Sequence, residues 1–148
     1  MREILFRAKR LDDGEWVEGN LIFSADATEN WKTVIIPITN SNMFVKENAE
    51  GNLGFENWYR VDPGTVCEYT GGLDDSCVKI FKGDIVREYD VFGKDKGVKV
   101  VKWSELFSQW NAGENSLYGG VVAKYKVLGN IFDNPELMEG GQESEVQE

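Results

Sequence analysis

The chain contains no histidine. That removes the Ser-His-Asp and Cys-His arrangements, the imidazole metal ligands and the commonest general base. Cysteine is nearly absent too, with only Cys67 and Cys77. A C-x9-C spacing without histidine is not a zinc pattern. The two cysteines flank a predicted turn almost symmetrically and could face each other at a separation a disulfide tolerates. In a reducing cytoplasm they would stay thiols, and small buried side chains are the plainer reading. No apolar run reaches the roughly 18 residues of a membrane helix. The opening MREILFRAKR lacks the apolar stretch of a signal peptide, so the expected location is cytoplasmic, with no membrane partner. The phosphate-cradling G-x-x-x-x-G-K-[ST] loop is missing, as is a G-x-G-x-x-G opening a helix. Neither an EF-hand nor a basic-aromatic RNA-recognition strand occurs.

Positive charge is also scarce. Sixteen Lys and Arg stand against 26 Asp and Glu, a net charge of −10. The last ten residues hold four glutamates and no Lys or Arg, so the remainder carries −6. Such a chain is repelled by phosphate backbones unless it builds a local basic patch. The charge suits a basic partner, and it equally suits simple solubility.

What is present is a globular composition. Of 148 residues, 41% are hydrophobic and 12% aromatic, enough for one domain with a core. Five tryptophans suit anchors of a β-rich interior. The organising stretch is Asp62–Tyr89, DPGTVCEYTGGLDDSCVKIFKGDIVREY. It reads as strand, polar turn, strand. Thr65, Val66 and Tyr69 are strand formers, as are Val78, Ile80, Phe81, Ile85 and Val86. Gly71, Gly72, Asp74, Asp75 and Ser76 supply the turn. In Lys82-Gly83-Asp84-Ile85-Val86, Gly83 permits a bend, Asp84 caps exposed backbone, and the apolar pair enters the core.

Elsewhere, Arg2–Arg10 alternates with Ile4, Phe6 and Ala8 on one face. After the Asp12-Asp13-Gly14 turn, Val17, Leu21 and Phe23 share a face, which predicts an N-terminal hairpin. Lys32–Thr39 is a strand that Pro37 pushes toward an edge or bulge. Asn40–Asn57 is a loop with one helical turn near Met43–Asn48. Val98–Trp103 is a strand. Ser104–Trp110 fits either a short helix capped by Ser104 or strand, being too short for periodicity to decide. Val121–Phe132 alternates, with Tyr125 and Val127 on one face and Lys124 and Lys126 on the other. Asn134-Pro135 starts a short helix docked by Leu137 and Met138. The expected fold is mainly β, a β-rich α+β domain over residues 1–138. It would be a small twisted sheet or partly open, SH3-like barrel built from hairpins, with a short C-terminal helix. Residues 139–148 are expected to be an acidic disordered tail.

Several pieces together resemble a known family. Tyr69-Thr70-Gly71, Leu73-Asp74 and Ile80-Phe81-Lys82-Gly83-Asp84-Ile85-Val86 are similar to the signature of the YopX family of phage and prophage proteins, T-V-x-x-Y-T-G-L-x-D-x-x-G-x-x-I-[FY]-x-G-D-I-V. Arg2–Ala8 resembles that family's opening R-E-I-x-F-R-A. Val101–Trp103 resembles its V-x-W strand, and VLGNIFDNPEL (Val127–Leu137) its closing G-N-I-[FY]-x-N-P-E-L. The pieces are in order and span nearly the whole chain. Gly72 is an insertion or a register shift against that pattern. Cys67 and Cys77 stand where the family often has glycine. The resemblance implies a phage or prophage origin and a small, mostly β fold. It implies no activity.

Three functions follow as expectations. The first is a non-catalytic module that binds a host or phage protein, or itself, with no catalytic, cofactor or metal-binding residues. Its contact surface would come from whichever of Tyr69, Thr70, Asp74, Phe81 and Asp84 are exposed, and arrayed carboxylates could imitate nucleic acid. The second is a nucleic-acid-binding barrel on which Lys94, Lys96, Lys99, Lys102, Lys124 and Lys126 converge. The third is a metal-dependent hydrolase drawing on Asp62, Glu68, Asp84 and Glu88, among the carboxylates of the central stretch, although turn roles explain Asp74, Asp75 and Asp84 equally well.

Overall fold

The computed structural model of the chain describes residues 2–25, 32–38, 44–45, 54–55, 57–117 and 122–138. The chain divides into two compact units, Met1–Glu68 and Tyr69–Glu148. Both are built on antiparallel β-structure, so the mainly β expectation holds. Among the described residues neither sheet closes into a barrel.

In the first unit, β1 (Phe6–Lys9) and β2 (Trp16–Phe23) form the N-terminal hairpin. Gly14 in its turn has φ +73, a region unfavourable to other residues. The Arg10 guanidinium lies 2.6 Å from Asp12 and 3.4 Å from Asp13. The pleat differs from the expected alternation at its start. Leu5 is buried and Ile4 exposed, because regular pairing begins only at Phe6. β3 (Thr33–Pro37) pairs along β2. β4 (Phe44–Val45) and β5 (Gly54–Phe55) form a two-stranded ribbon within the predicted Asn40–Asn57 loop. Phe44 and Val45 are strand formers, so the helical turn predicted there is replaced by strand at these two residues. The rest of that segment lies outside the described residues, except for Asn57.

β6 (Tyr59–Arg60) pairs with Val34 and Ile35 only. Ile38 N–H donates to the Glu18 carbonyl, so by alternation the Pro37 nitrogen faces the other edge, past the end of β6. β3 is thus flanked by β2 and β6 rather than being an edge strand, and Pro37 is accommodated because β6 stops short of it. Asp62-Pro63-Gly64 then takes Thr65 out of strand and into a 3-10 turn, Pro63–Thr65. Asp62 Oδ1 accepts from Gly64 N–H at 2.9 Å. Thr65 Oγ1 donates to the Asp62 carbonyl and accepts from Lys9 N–H. The core of this unit is Ala8, Val17, Ile35 and Val61.

β7 (Cys67–Leu73) runs from the first unit into the second. Cys67 and Glu68 pair with Arg7 and Phe6 of β1. Further on, Tyr69 pairs with Phe81 and Leu73 with Lys79 of β8 (Lys79–Phe81), with an irregular register between the two pairs. The additional glycine of Gly71-Gly72 falls in that irregularity, where Gly71 has φ +89. Cys67 therefore faces β1 rather than Cys77. Cys67 is buried, Cys77 is exposed at φ +63 in the turn, and neither forms a disulfide.

The second unit's main sheet contains β9 (Asp84–Asp90), β10 (Asp95–Ser104), β11 (Gln109–Ala112), β12 (Asn115–Ser116) and β13 (Val122–Asn130), in the order β12-β11-β10-β9-β13. Ser104–Trp110 is the β10–β11 hairpin, not a helix. Trp103 lies opposite Trp110, their rings 5.1 Å apart and edge-to-face. Packing that pair together and burying Trp110 outweigh the single turn of helix that Ser104 could cap. β13 carries two register shifts, so its alternation is broken and Ile131 is exposed rather than aligned with Tyr125. After it, residues 136–138 turn into helix, with Leu137 N–H on the Asn134 carbonyl. The Asn134 side chain accepts instead from Asn130 N–H. The core here is Ile80, Val86, Val101, Trp110, Ala112, Leu117 and Tyr125.

A Cβ placed on Gly19 would sit 1.9 Å from the Ile36 carbonyl oxygen. Gly19→Ala forces β2 and β3 apart where their backbones touch. It should cost about 2–4 kcal/mol, read as a lower urea midpoint. An unchanged midpoint would refute this contact.

Candidate functional site

The five residues predicted to supply a contact surface are all buried. Tyr69, Thr70, Asp74, Phe81 and Asp84 each retain 8% exposure or less. The expectation required exposed members, and none of the five is exposed. Their polar groups are occupied by the fold. Asp74 Oδ1 accepts from Ser76 N–H at 2.8 Å and Val78 N–H at 2.9 Å. Its Oδ2 accepts from Val127 N–H at 3.0 Å, next to a register shift of β13. Burial pushes the Asp74 pKa up. Three backbone N–H groups, with the positive charge of Lys126, outweigh that and hold it below the ordinary aspartate value. Asp84 Oδ2 accepts from Phe81 N–H at 2.7 Å, across the Lys82-Gly83 corner. Gly83 has φ +85, and its N–H donates to the Val101 carbonyl. Thr70 Oγ1 donates to the Ile80 carbonyl and accepts from Gly72 N–H. The Tyr69 and Phe81 rings lie 5.5 Å apart.

The carboxylates proposed for metal-assisted hydrolysis have separate local roles. Asp62 caps the 3-10 turn of the first unit, where Glu68 stands on β7. In the second unit, Asp84 closes the corner. No group of three or more Cys, Asp and Glu side chains able to hold a metal ion occurs among the described residues.

Glu88 is different. It is 1% exposed and shares the core face of β9 with Val86. Its Oε1 is buried without a hydrogen-bond partner. Burial pushes its pKa up, and the charges of Lys99 and Lys96 with a hydrogen bond from Asn115 offset this only in part. Period-two reading of DIVREYD puts Glu88 on the face of Val86, a signal that marks a buried acid once β9 is recognised as a strand.

Lys99 and Asn115 also line an open cleft of about 550 Å³. Its apolar wall includes Val98, Val100 and Met138, and Lys102 and Glu114 add charge of both signs. The six candidate lysines do not share one face. Lys99 pairs with Val86 on the core side, while Lys124 and Lys126 are exposed and pair with Tyr89 and Arg87 on the other. Arg87 between them is held by Asp95 at 2.6 Å. Lys96 lies 4.0 Å from Asp90.

The feature that sequence reasoning missed is the tip of the β10–β11 hairpin. Leu106 is 83% exposed, Phe107 67% and Trp103 41%. Ser108 holds the tip at φ +49, a conformation uncommon outside glycine. Ser104 Oγ accepts from Phe107 N–H at 3.3 Å. Leu106, Phe107 and Trp110 look like one helical face only when the segment is taken as helix. As a hairpin, the same residues separate into a buried Trp110 and an exposed Leu106-Phe107 pair.

Asp74→Asn turns an acceptor toward Val127 N–H into a donor. The folded pKa of Asp74 is lowered, so its contribution is present above the unfolded value of about 3.9 and is lost as pH falls through the folded value. At pH about 7 the variant should be less stable by about 1.5–3 kcal/mol. The difference should shrink below about pH 3. Urea melts at both pH values check this, and a gap that does not narrow on acidification contradicts it.

The family model described as YopX protein matches residues 5–139. No curated protein matches the chain. Among solved structures, the crystal structure of protein EF1440 from Enterococcus faecalis is similar, with a TM-score of 0.62 and 18% identity over 93% of this chain and 99% of that one. At that identity the likeness speaks to the fold alone. The match over nearly the whole length establishes that the chain belongs to the YopX family.

Proposed function

We propose that this chain is a non-catalytic protein-interaction module of a phage or prophage, acting in the cytoplasm of a bacterial host and gripping its partner with the β10–β11 hairpin tip. The observation that carries the reading is the exposure of consecutive Leu106 and Phe107 beside a half-exposed Trp103. Loop tips in water favour Gly, Asn, Asp and Ser, which satisfy turn geometry and hydration. A leucine and a phenylalanine held outward gain nothing there until a partner covers them. Large apolar and aromatic side chains of this kind are the usual anchors of an interface.

The charge points to the partner's chemistry. With a net charge of −10, the chain attracts a basic protein over long range, and the tip supplies the short-range contact. A basic protein with an apolar pocket is the matching surface. The phage setting, and with it the bacterial host, rests on the family.

Leu106→Ser with Phe107→Ser tests the reading. Both positions are solvent-facing, so stability should stay within about 0.5 kcal/mol of the parent. Tagged parent and variant are compared by capture from prophage-bearing cells, with half of each lysate treated with nuclease. The expected result is a nuclease-resistant protein that the parent retains and the variant loses. Equal capture by both overturns the tip as the contact. Loss of all partners with nuclease overturns the protein-binding reading in favour of nucleic acid. Recovery of the chain alone replaces the basic partner with self-association.

A further inference from the structure

We infer that the arm formed by residues 113–117 is a proton-controlled latch over Glu88, shut while the Glu88 carboxyl is protonated and loosened when it ionises. The arm is the turn Gly113-Glu114, the two-residue edge strand β12 and Leu117. It folds onto the core side of the sheet. Leu117 N–H donates to the Trp110 carbonyl, its side chain is buried, and the Ser116 carbonyl lies 3.5 Å from the Tyr125 hydroxyl. Asn115 reaches Glu88 from this arm.

The groups around Glu88 define what the closed arm can tolerate. β13 places Tyr125 directly opposite it. β10 brings Lys96 and Lys99, while β9 itself contributes Asp90 on the same face, with Lys96 4.0 Å from Asp90. The arm brings Asn115. With these in place, Oε1 remains buried and without a partner. A neutral carboxyl is tolerable in such a site. An ionised one leaves a charged oxygen closed off from bulk solvent with no protein donor on it, a costly burial. The cheapest relief is local, because among the described residues β12 is a short edge strand with two register pairs, Asn111 with Ser116 and Ala112 with Asn115, extended by the Leu117–Trp110 bond. Moving it admits water to Oε1. It also uncovers Leu117 and reshapes the cleft, which Gly113, Glu114 and Asn115 line.

The sign follows from the direction of the shift. Burial raises the Glu88 pKa above the unfolded value. Its effect therefore favours the closed fold at low pH, and that advantage declines as pH rises from the unfolded pKa through the folded one. This is opposite to Asp74.

Amide hydrogen exchange on the full chain, corrected for intrinsic rates and followed from about pH 4 to 9, reads the latch directly. The Leu117 amide should lose about tenfold or more of its protection across the range, while the Val86 amide in the middle of the sheet does not. Glu88→Gln should keep Leu117 protected at every pH. Lys99→Met removes a charge that favours ionisation, so it should move the midpoint to higher pH. The inference is overturned if parental Leu117 protection is independent of pH. It is equally overturned if Glu88→Gln retains the transition, or if Lys99→Met leaves the midpoint in place or lowers it. The readout needs no partner, so it stands or falls separately from the hairpin-tip reading.

Discussion

The Asp74 carboxylate is the interaction on which the second unit most depends. One side chain accepts three backbone N–H groups, two from the turn that follows it and one from β13, more than fifty residues away. Val127 would otherwise have a ladder donor without an acceptor beside a break in its strand's register. Asp75 N–H adds a bond to the Tyr125 carbonyl, so the turn and β13 are tied at two consecutive residues. A charged acceptor gives each of these bonds more strength than a neutral one. The Gly83-Asp84 corner uses the same device at smaller scale, with a carboxylate oxygen supplying Phe81 N–H with an acceptor where the chain turns out of β8.

These two aspartates and Glu88 show how differently the same chemical group behaves in one core. Asp74 is surrounded by donors, and its ionised form is favoured despite burial. Glu88 lies on the face of Val86 and opposite Tyr125 with one oxygen unsatisfied, and burial holds its pKa above the ordinary glutamate value despite two nearby lysines. Hydrogen bonds from backbone dipoles at under 3.1 Å outweigh desolvation. Screened charges at longer range do not. One acid fastens the fold and the other stores a liability beside an edge strand.

The charge of the chain is also distributed unevenly. Residues 69–138 carry nine Lys and Arg against ten Asp and Glu, while the acidic excess lies in residues 1–68 and in the last ten. The hairpin tip therefore belongs to a nearly neutral stretch. Its contact with a partner would be governed by apolar packing, with the long-range attraction supplied from elsewhere in the chain.

The β-rich class, the N-terminal hairpin and the Gly83-Asp84 bend were legible from local pattern, because turn chemistry and period-two alternation are properties of neighbouring residues, while the family was legible as a resemblance of motif pieces strung along the whole chain. The sequence by itself also determined what chemistry the chain cannot perform with histidine. It could not show that Tyr69, Thr70, Asp74, Phe81 and Asp84 face inward. The motif containing them is made of residues that suit either a surface or a corner, and only the approach of β13 and the main sheet decides between the two. The Ser104–Trp110 segment was undecided for a related reason. Seven residues satisfy helical spacing and hairpin pairing alike, and the Trp103–Trp110 contact across strands settles the matter. Tertiary structure alone placed Asn115 over Glu88 and left Leu106 and Phe107 in solvent, because burial depends on which distant strand arrives, and no local pattern records that.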